Sequence, residues 1–301
     1  MKNLGLYFVL IKIFGKLGPM LMTLLKSAKV AKIGLAGASL AAYSYMFTWQ
    51  FALIVIFSIV VHEYGHLTAM KNLGIKTKGI WLIPFVGGAA VASEEFGSYK
   101  NESYVSIMGP VYGILTIVPF YILYLYTKDP LYTGIMSFIA LINVFNLLPI
   151  NPLDGGRIIK SIVFSLNSML GVVFIFLGMI GAFYLAYVMN INVLYFIIVI
   201  GIIELIAEFR NFKFFLEKEF LASSIEYDEQ LVKYKYTNKE LFDIYSKNKY
   251  MDKYTVFKYL FLYITITFIF LGIIYYCSTI EGSDLALKLL KDDVNSIELV
   301  N

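Results

Sequence analysis

The sequence predicts an all-α polytopic membrane protein with about seven transmembrane helices and a re-entrant loop or β-hairpin between the second and third. Composition is the first reason. Of 301 residues, 59% are hydrophobic and 15% are charged, and the mean hydropathy is +0.73. Soluble domains carry about 25% charged and about 45–50% apolar residues. A chain this apolar cannot cover a soluble globule with polar surface, which argues against a soluble enzyme, a disordered protein and a nucleic-acid binder.

Apolar stretches that recur at bilayer length are the second reason, since a spanning helix needs about 20 residues. We expect spans near residues 33–48, 49–70, 104–126, 131–150, 169–189, 192–209 and 256–276. Residues 79–97 contain Pro84, Gly87 and Gly88 and are too rich in glycine to span. Irregular backbone at membrane depth needs protein or a watery cavity to receive its polar groups, so a re-entrant loop or hairpin is expected there.

The chain divides into four parts. Residues 1–32 carry six lysines and no acidic residue among apolar side chains, which favours a helix on the membrane surface; an additional tilted span and a signal peptide are the alternatives. Residues 33–209 form the membrane-embedded core. Residues 210–253 are a charged cytoplasmic helical segment, interpreted as a solvated linker or else a substrate-recognition element. Residues 254–301 hold the last transmembrane helix and an acidic tail.

Lysine placement predicts the orientation, because cytoplasmic loops carry an excess of lysine and arginine. The basic N-terminus is therefore expected in the cytoplasm. The same topology places Lys71, Lys76, Lys78, Arg157 and Lys160 inside and the acidic tail outside. We accordingly predict a multi-pass protein of the cell membrane.

Residues 62–66, His-Glu-Tyr-Gly-His, carry the chemistry. They contain both histidines of the chain, at the end of an apolar run. Four residues apart on a helix, His62 and His66 project from one face and can both bind a tetrahedral zinc ion. Glu63 lies about 100° around the helix, which suits a general base better than a third ligand. Ionisable groups inside a membrane are costly and mark function.

A zinc hydrolase needs a third protein ligand and an open position. With no further histidine and with Cys277 as the single cysteine, that ligand must be a carboxylate. The candidates are Glu94, Glu95, Glu102 and Asp154. Asp154 follows a stretch in which two prolines interrupt an apolar helix. A helix N-cap is the alternative role for Asp154.

The helix motif, together with the later run Asn-Leu-Leu-Pro-Ile-Asn-Pro-Leu-Asp-Gly-Gly-Arg at residues 146–157, resembles the site-2 protease family, the intramembrane zinc metalloproteases of peptidase family M50. The loop at residues 83–88 and Met108-Gly109-Pro110 add to the resemblance, which covers about residues 49–165. Tyr64 stands where the family's usual motif has leucine.

The resemblance implies one zinc ion per chain, held by His62, His66 and Asp154, with Glu63 as general base. It also implies that Asn146 contacts substrate, the alternative being a bond that secures the helix break. Gly87 and Gly88 would let a substrate strand come close, the alternative being a plain turn.

The implied function is hydrolysis of peptide bonds within or near transmembrane segments of membrane protein substrates in the lipid bilayer, that is, regulated intramembrane proteolysis by a zinc-activated water. One alternative is a membrane-embedded zinc protease of another type that uses a glutamate as third ligand. The other is a non-catalytic metal-binding or transport protein.

Overall fold

The computed structural model describes residues 28–46, 48–84, 87–94, 96–189 and 249–282, with a few single positions between 195 and 206. Over these residues the chain is mostly helical. In chain order the elements are α1 Ala28–Met46, α2 Trp49–Asn72, β1 Thr77–Ile83, β2 Gly87–Ala92, α3 Tyr99–Thr127, α4 Pro130–Asn146, α5 Asp154–Leu166, α6 Ser168–Met189 and α7 Lys253–Ser278.

Four of the described helices are long and apolar enough to cross a membrane, which is consistent with a multi-pass membrane protein. They are Trp49–Asn72, Tyr99–Thr127, Met169–Val188 within α6, and Lys253–Ser278. The predicted spans 33–48 and 131–150 correspond to α1 and α4, and α4 is a shorter apolar helix of 17 residues. The predicted span 192–209 lies largely outside the described residues, as do most of the N-terminal segment 1–32, the charged segment 210–253 and the acidic tail.

Capping residues explain where the long helices begin. The side chains of Thr48, Ser98, Asp129 and Asp252 each accept a hydrogen bond from a backbone N–H in the first turn. Such a cap satisfies one of the free donors at a helix N-terminus. With Ser98 as its cap, α3 begins at Tyr99, five residues before the predicted span 104–126. The first turn of the helix is polar, so hydropathy does not detect it.

The segment between α2 and α3 forms an antiparallel hairpin of β1 and β2. Ile80 pairs with Ala90, Leu82 with Gly88, and a register irregularity lies between Thr77 and Gly79. Gly87 begins β2 with φ +120°, a backbone conformation that favours glycine. The hairpin lies against α2, so its second strand is held beside the helix that carries the two histidines.

The predicted helix break separates α4 from α5. Helix α4 ends at Asn146, and α5 begins at Asp154 after the prolines. A Cβ at Gly155 would lie 2.1 Å from the carbonyl oxygen of Leu147, so glycine is needed for α5 to start directly beneath this loop. Tyr263 of α7 donates a hydrogen bond of 2.8 Å to the same carbonyl, which ties the last described helix to the turn that carries Asp154.

A buried ion pair joins α3 to α5. Lys160 Nζ lies 2.7 Å from Glu102 Oε1, and Ser161 Oγ donates to Glu102 Oε2 at 3.1 Å. Lys160 is 3% exposed and Glu102 is 8% exposed. Lys160, which the topology prediction placed on the cytoplasmic side, is buried within the protein, where Glu102 compensates its charge. Glu102 is thereby occupied away from the two histidines.

We expect Lys160→Met to lower the free energy of unfolding by about 3–5 kcal/mol, because it leaves the Glu102 carboxylate buried without its cation. Thermal unfolding of the detergent-solubilised protein measures the effect. Lys100→Met, at an exposed lysine of α3, is the control. Adding Glu102→Gln to Lys160→Met should recover most of the loss, and equal stability of the two lysine variants would contradict the role of the pair.

Candidate metal centre

His62 and His66 lie one turn apart on α2 with their Nε2 atoms directed to one point. The two Nε2 atoms are 3.1 Å apart, and both side chains are buried. Helix α2 runs unbroken through this polar turn and ends at Asn72. The helix repeat of 3.6 residues brings the two imidazoles onto the same face.

Asp154 completes a triangle with the two histidines, although it lies 92 residues from His62 in the chain. Its Oδ2 atom is 3.0 Å from His62 Nε2 and 3.3 Å from His66 Nε2. Leu153, not Asp154, occupies the N-cap position of α5, and the cap makes no side-chain hydrogen bond. The Asp154 carboxylate is therefore directed to the histidines and does not cap the helix.

The size of this triangle suits zinc. Ligand atoms at 2.0–2.1 Å from a tetrahedral zinc ion lie about 3.3–3.4 Å from one another. The three edges observed are 3.0, 3.1 and 3.3 Å, close to that separation. Two imidazole nitrogens and a carboxylate oxygen are ligands that zinc takes, so the donor set and its spacing both fit the ion.

Glu63 lies beside the triangle. Ligand atoms of His62, Glu63 and His66 all lie within 4.8 Å of one another. The backbone N–H of Ala90 in β2 donates to Glu63 Oε2 at 2.6 Å, so the hairpin holds one carboxylate oxygen. A Cβ at Gly88 would lie 2.6 Å from Glu63 Cγ. Gly88 thus gives the strand room to approach Glu63.

Groups behind each imidazole contact its other ring nitrogen. His62 Nδ1 lies 3.0 Å from Asn143 Oδ1, and His66 Nδ1 lies 2.8 Å from the Val105 carbonyl oxygen. Sequence reasoning missed both contacts. The available signal for Asn143 was its amide side chain inside an otherwise apolar stretch of α4; a backbone carbonyl such as that of Val105 has no such signal.

Gly109 of α3 covers one side of the two imidazoles. A Cβ at this position would lie 2.4 Å from His66 Nε2 and 2.6 Å from His62 Nε2. The absence of a side chain therefore keeps free the space in front of both nitrogens. The sequence marked Gly109 only as part of a family resemblance, and its position against the imidazoles comes from the packing of α3 on α2.

Two of the three glutamates considered as alternative third ligands make other contacts in the described structure. Glu94 Oε1 accepts a hydrogen bond of 3.0 Å from the backbone N–H of Lys76 at the base of the hairpin. Glu102 pairs with Lys160. Glu95 lies outside the described residues.

The remaining predicted residues lie at the ends of the elements that carry them or on the surface of α2. Asn146 is the half-buried last residue of α4, and Gly87 lies at the start of β2. Tyr64 is 54% exposed and its ring lies 6.0 Å from that of Tyr112. The residue that replaces the usual leucine is thus turned outward from the buried histidines.

Part of this sequence is similar to known proteins. Residues 50–133 match peptidase family M50. A protein of Synechocystis sp. is 34% identical over 123 residues, covering 38% of this chain and 32% of the relative. A zinc metalloprotease of Methanocaldococcus jannaschii is 32% identical over 126 residues, 38% of this chain and 35% of the relative. Stage IV sporulation protein FB of Bacillus subtilis is 32% identical over 111 residues, 36% of this chain and 38% of the relative.

The matched stretch spans about a third of the length of these curated relatives. The family match includes nearly all of α2, with both histidines and Glu63, and the whole of the hairpin and α3. The match therefore contains the helix that carries the two histidines together with the elements packed against it, and over these residues the chain is similar to peptidase family M50.

Proposed function

We propose that this protein is an intramembrane zinc metalloprotease that hydrolyses peptide bonds within or near transmembrane segments of other membrane proteins. The observation that carries the proposal is the triangle of His62 Nε2, His66 Nε2 and Asp154 Oδ2, with the Glu63 carboxylate beside it. A base next to three metal ligands is the arrangement that metal-assisted hydrolysis requires.

His62, His66 and Asp154 would hold one zinc ion per chain. Zinc in such a site acts as a Lewis acid toward a carbonyl oxygen and lowers the pKa of water to about 7. The two histidines are buried and the Asp154 side chain is 11% exposed, which supports this role because electrostatic interactions are stronger where little bulk water surrounds the charges.

Glu63 acts as the general base and then as the general acid. Its carboxylate accepts a proton from the attacking water and passes that proton to the nitrogen of the leaving amine. The Ala90 N–H occupies one lone pair of Oε2 and fixes the orientation of the carboxylate. The other carboxylate oxygen is left to receive the proton.

The substrate approaches as a locally extended segment. A peptide carbonyl inside a helix already accepts a hydrogen bond, so the substrate helix must unwind before its carbonyl can be attacked. Gly87 and Gly88 would let the extended strand pass close to the hairpin, and Asn146 would orient it or stabilise the developing oxyanion. The hairpin would then be re-entrant, at the membrane depth of the metal ligands.

The proposed topology has about seven spans. The four apolar helices described here are joined by α1, α4 and the stretch near 192–209, with the N-terminus in the cytoplasm and the site toward the cytoplasmic half of the bilayer. We keep the predictions of a surface segment at 1–32 and a cytoplasmic segment at 210–253, most of which lie outside the described residues. Lysine placement supports this orientation.

Two other functions remain the alternatives. A zinc protease with a glutamate as third ligand would need Glu94, Glu95 or Glu102 at the metal, and Asp154 already lies against both histidines. A transporter would spread its ligands along a path, and a purely metal-binding protein needs no base. Convergence of the ligand atoms on one point beside Glu63 favours hydrolysis.

Metal removal tests the proposed function. The purified protein should cleave a tagged single-span membrane protein, lose this activity when a chelator removes zinc, and recover it with one equivalent of zinc but not with magnesium. Cleavage that persists in the zinc-free protein would overturn the proposal. Vesicles containing the protein that accumulate zinc without cleaving any substrate would favour transport.

A further inference from the structure

Asn143 is a buried amide behind His62. It lies on α4, is 1% exposed, and has its Oδ1 atom 3.0 Å from His62 Nδ1. The opposite ring nitrogen, Nε2, is the one that lies in the triangle with Asp154 and His66. Asn143 thus touches a metal-ligand side chain at the atom that does not face the metal position.

The orientation of the Asn143 amide follows from its second contact. Its Nδ2 donates to the Ile139 carbonyl oxygen at 2.9 Å. A carbonyl oxygen can only accept, so Nδ2 must face Ile139 and Oδ1 must face His62. Because Oδ1 can also only accept, His62 Nδ1 must carry the hydrogen of this bond.

This assignment decides the state of Nε2. A neutral imidazole has one N–H; with that hydrogen on Nδ1, the lone pair of Nε2 is directed toward Asp154 and His66. His66 reaches the same state through the Val105 carbonyl. The difference is that His66 depends on the backbone, whereas His62 depends on a side chain that a substitution can remove.

The packing of α3 on α4 leaves room for this amide and little else. A Cβ at Gly113 would lie 2.2 Å from Asn143 Oδ1 and 2.6 Å from its Cγ. A side chain at position 113 would therefore push the amide away from His62. The contact between Asn143 and His62 therefore depends on the glycine at position 113, whose nearest neighbours are atoms of the Asn143 amide.

We propose that Asn143 is a positioning residue of the metal centre, which holds His62 in the ring orientation and the protonated-Nδ1 form that zinc binding requires. The inference rests on the proposed zinc site and adds a residue to it. Partners behind a ligating histidine fix its tautomer and orientation, and losing one typically weakens metal binding about 10–100-fold.

The test is the zinc affinity of the full-length protein, measured by competition with a chromophoric chelator. Asn143→Leu should bind zinc about 10–100-fold more weakly, because it has a similar size but no acceptor. Asn143→Asp should stay within a few-fold of the unchanged protein, because its carboxylate can accept the same N–H. Gly113→Ala should weaken zinc binding in the direction of Asn143→Leu, through displacement of the amide.

Thr133→Val is the matched control. It removes a fully buried hydroxyl from the same helix, where Thr133 donates to the Pro130 carbonyl, and it should leave the zinc affinity unchanged. The unfolding temperature of each zinc-free variant is recorded beside its affinity. A merely structural role for Asn143 would lower the stability of both Asn143 variants and would leave zinc affinity equal among the folded variants.

The outcomes separate this inference from the proposed function. If the unchanged protein binds zinc and Asn143→Leu binds it equally well, Asn143 has no positioning role and the zinc site stands. Asn143→Asp that binds zinc about 10-fold or more weakly than the unchanged protein overturns the inference too, and this arm needs no folded Asn143→Leu protein. An unchanged protein without zinc affinity would instead remove the proposed function.

Discussion

Glu63→Gln is expected to bind zinc as the unchanged protein does and to cleave a membrane substrate about 10²–10⁴-fold more slowly, the range that a positioned acid–base group contributes. The amide keeps the size of the carboxylate and can accept the Ala90 N–H, so the hairpin contact survives. It cannot take a proton from the attacking water. Zinc content per chain and the initial rate of cleavage, measured on the same preparation, check the result.

Asp154→Ala is the matched comparison for Glu63→Gln. It removes the carboxylate that lies 3.0 and 3.3 Å from the two Nε2 atoms, so it should lose zinc and activity together. Loss of zinc in Glu63→Gln would make Glu63 a ligand instead of the base. Retention of zinc in Asp154→Ala would move the third ligand to one of the glutamates and support the other type of zinc protease.

Gly109→Ala is expected to abolish zinc binding although position 109 carries no ligand atom. The new methyl group would lie 2.4 Å from His66 Nε2 and 2.6 Å from His62 Nε2, distances that no carbon atom maintains. Either the imidazoles turn away or α3 moves off α2, and both movements break the triangle. The zinc content and the cleavage rate of Gly109→Ala should both fall to the values measured for Asp154→Ala.

Gly272→Ala controls for the change from glycine to alanine in a helix. Gly272 lies in α7 and has nothing within 4 Å of the place its Cβ would take. This variant should keep its zinc, its activity and its unfolding temperature, or gain slightly in stability, since alanine favours helices by about 1 kcal/mol. A Gly109→Ala protein that still binds one zinc ion would contradict this prediction, because the two imidazoles would then tolerate a methyl group at position 109.

The long apolar helices could be anticipated because their signal is local. Helix α2 begins at Trp49 against a predicted 49, α6 begins at Ser168 against 169, and the break before Asp154 falls where the prolines lie. Hydropathy and proline chemistry act over a few residues. Helix α5 is not among the predicted spans, because it is short and half-polar, although the alternative N-cap role for Asp154 implied a helix there. The burial of Lys160 was not anticipated, because its partner Glu102 lies on another helix.

Within the site, the pairing of His62 with His66 and the adjacent place of Glu63 could be predicted from the sequence, since the helix repeat imposes these relations wherever the helix forms. The groups that contact these three side chains could not be predicted in the same way. The approach of Asp154 from 92 residues away, the amide of Asn143 behind His62, the N–H of Ala90 on Glu63 and the bare surface of Gly109 all depend on how separate helices pack. The positions of these residues in the sequence do not predict such contacts, because packing depends on the combined shapes of many side chains.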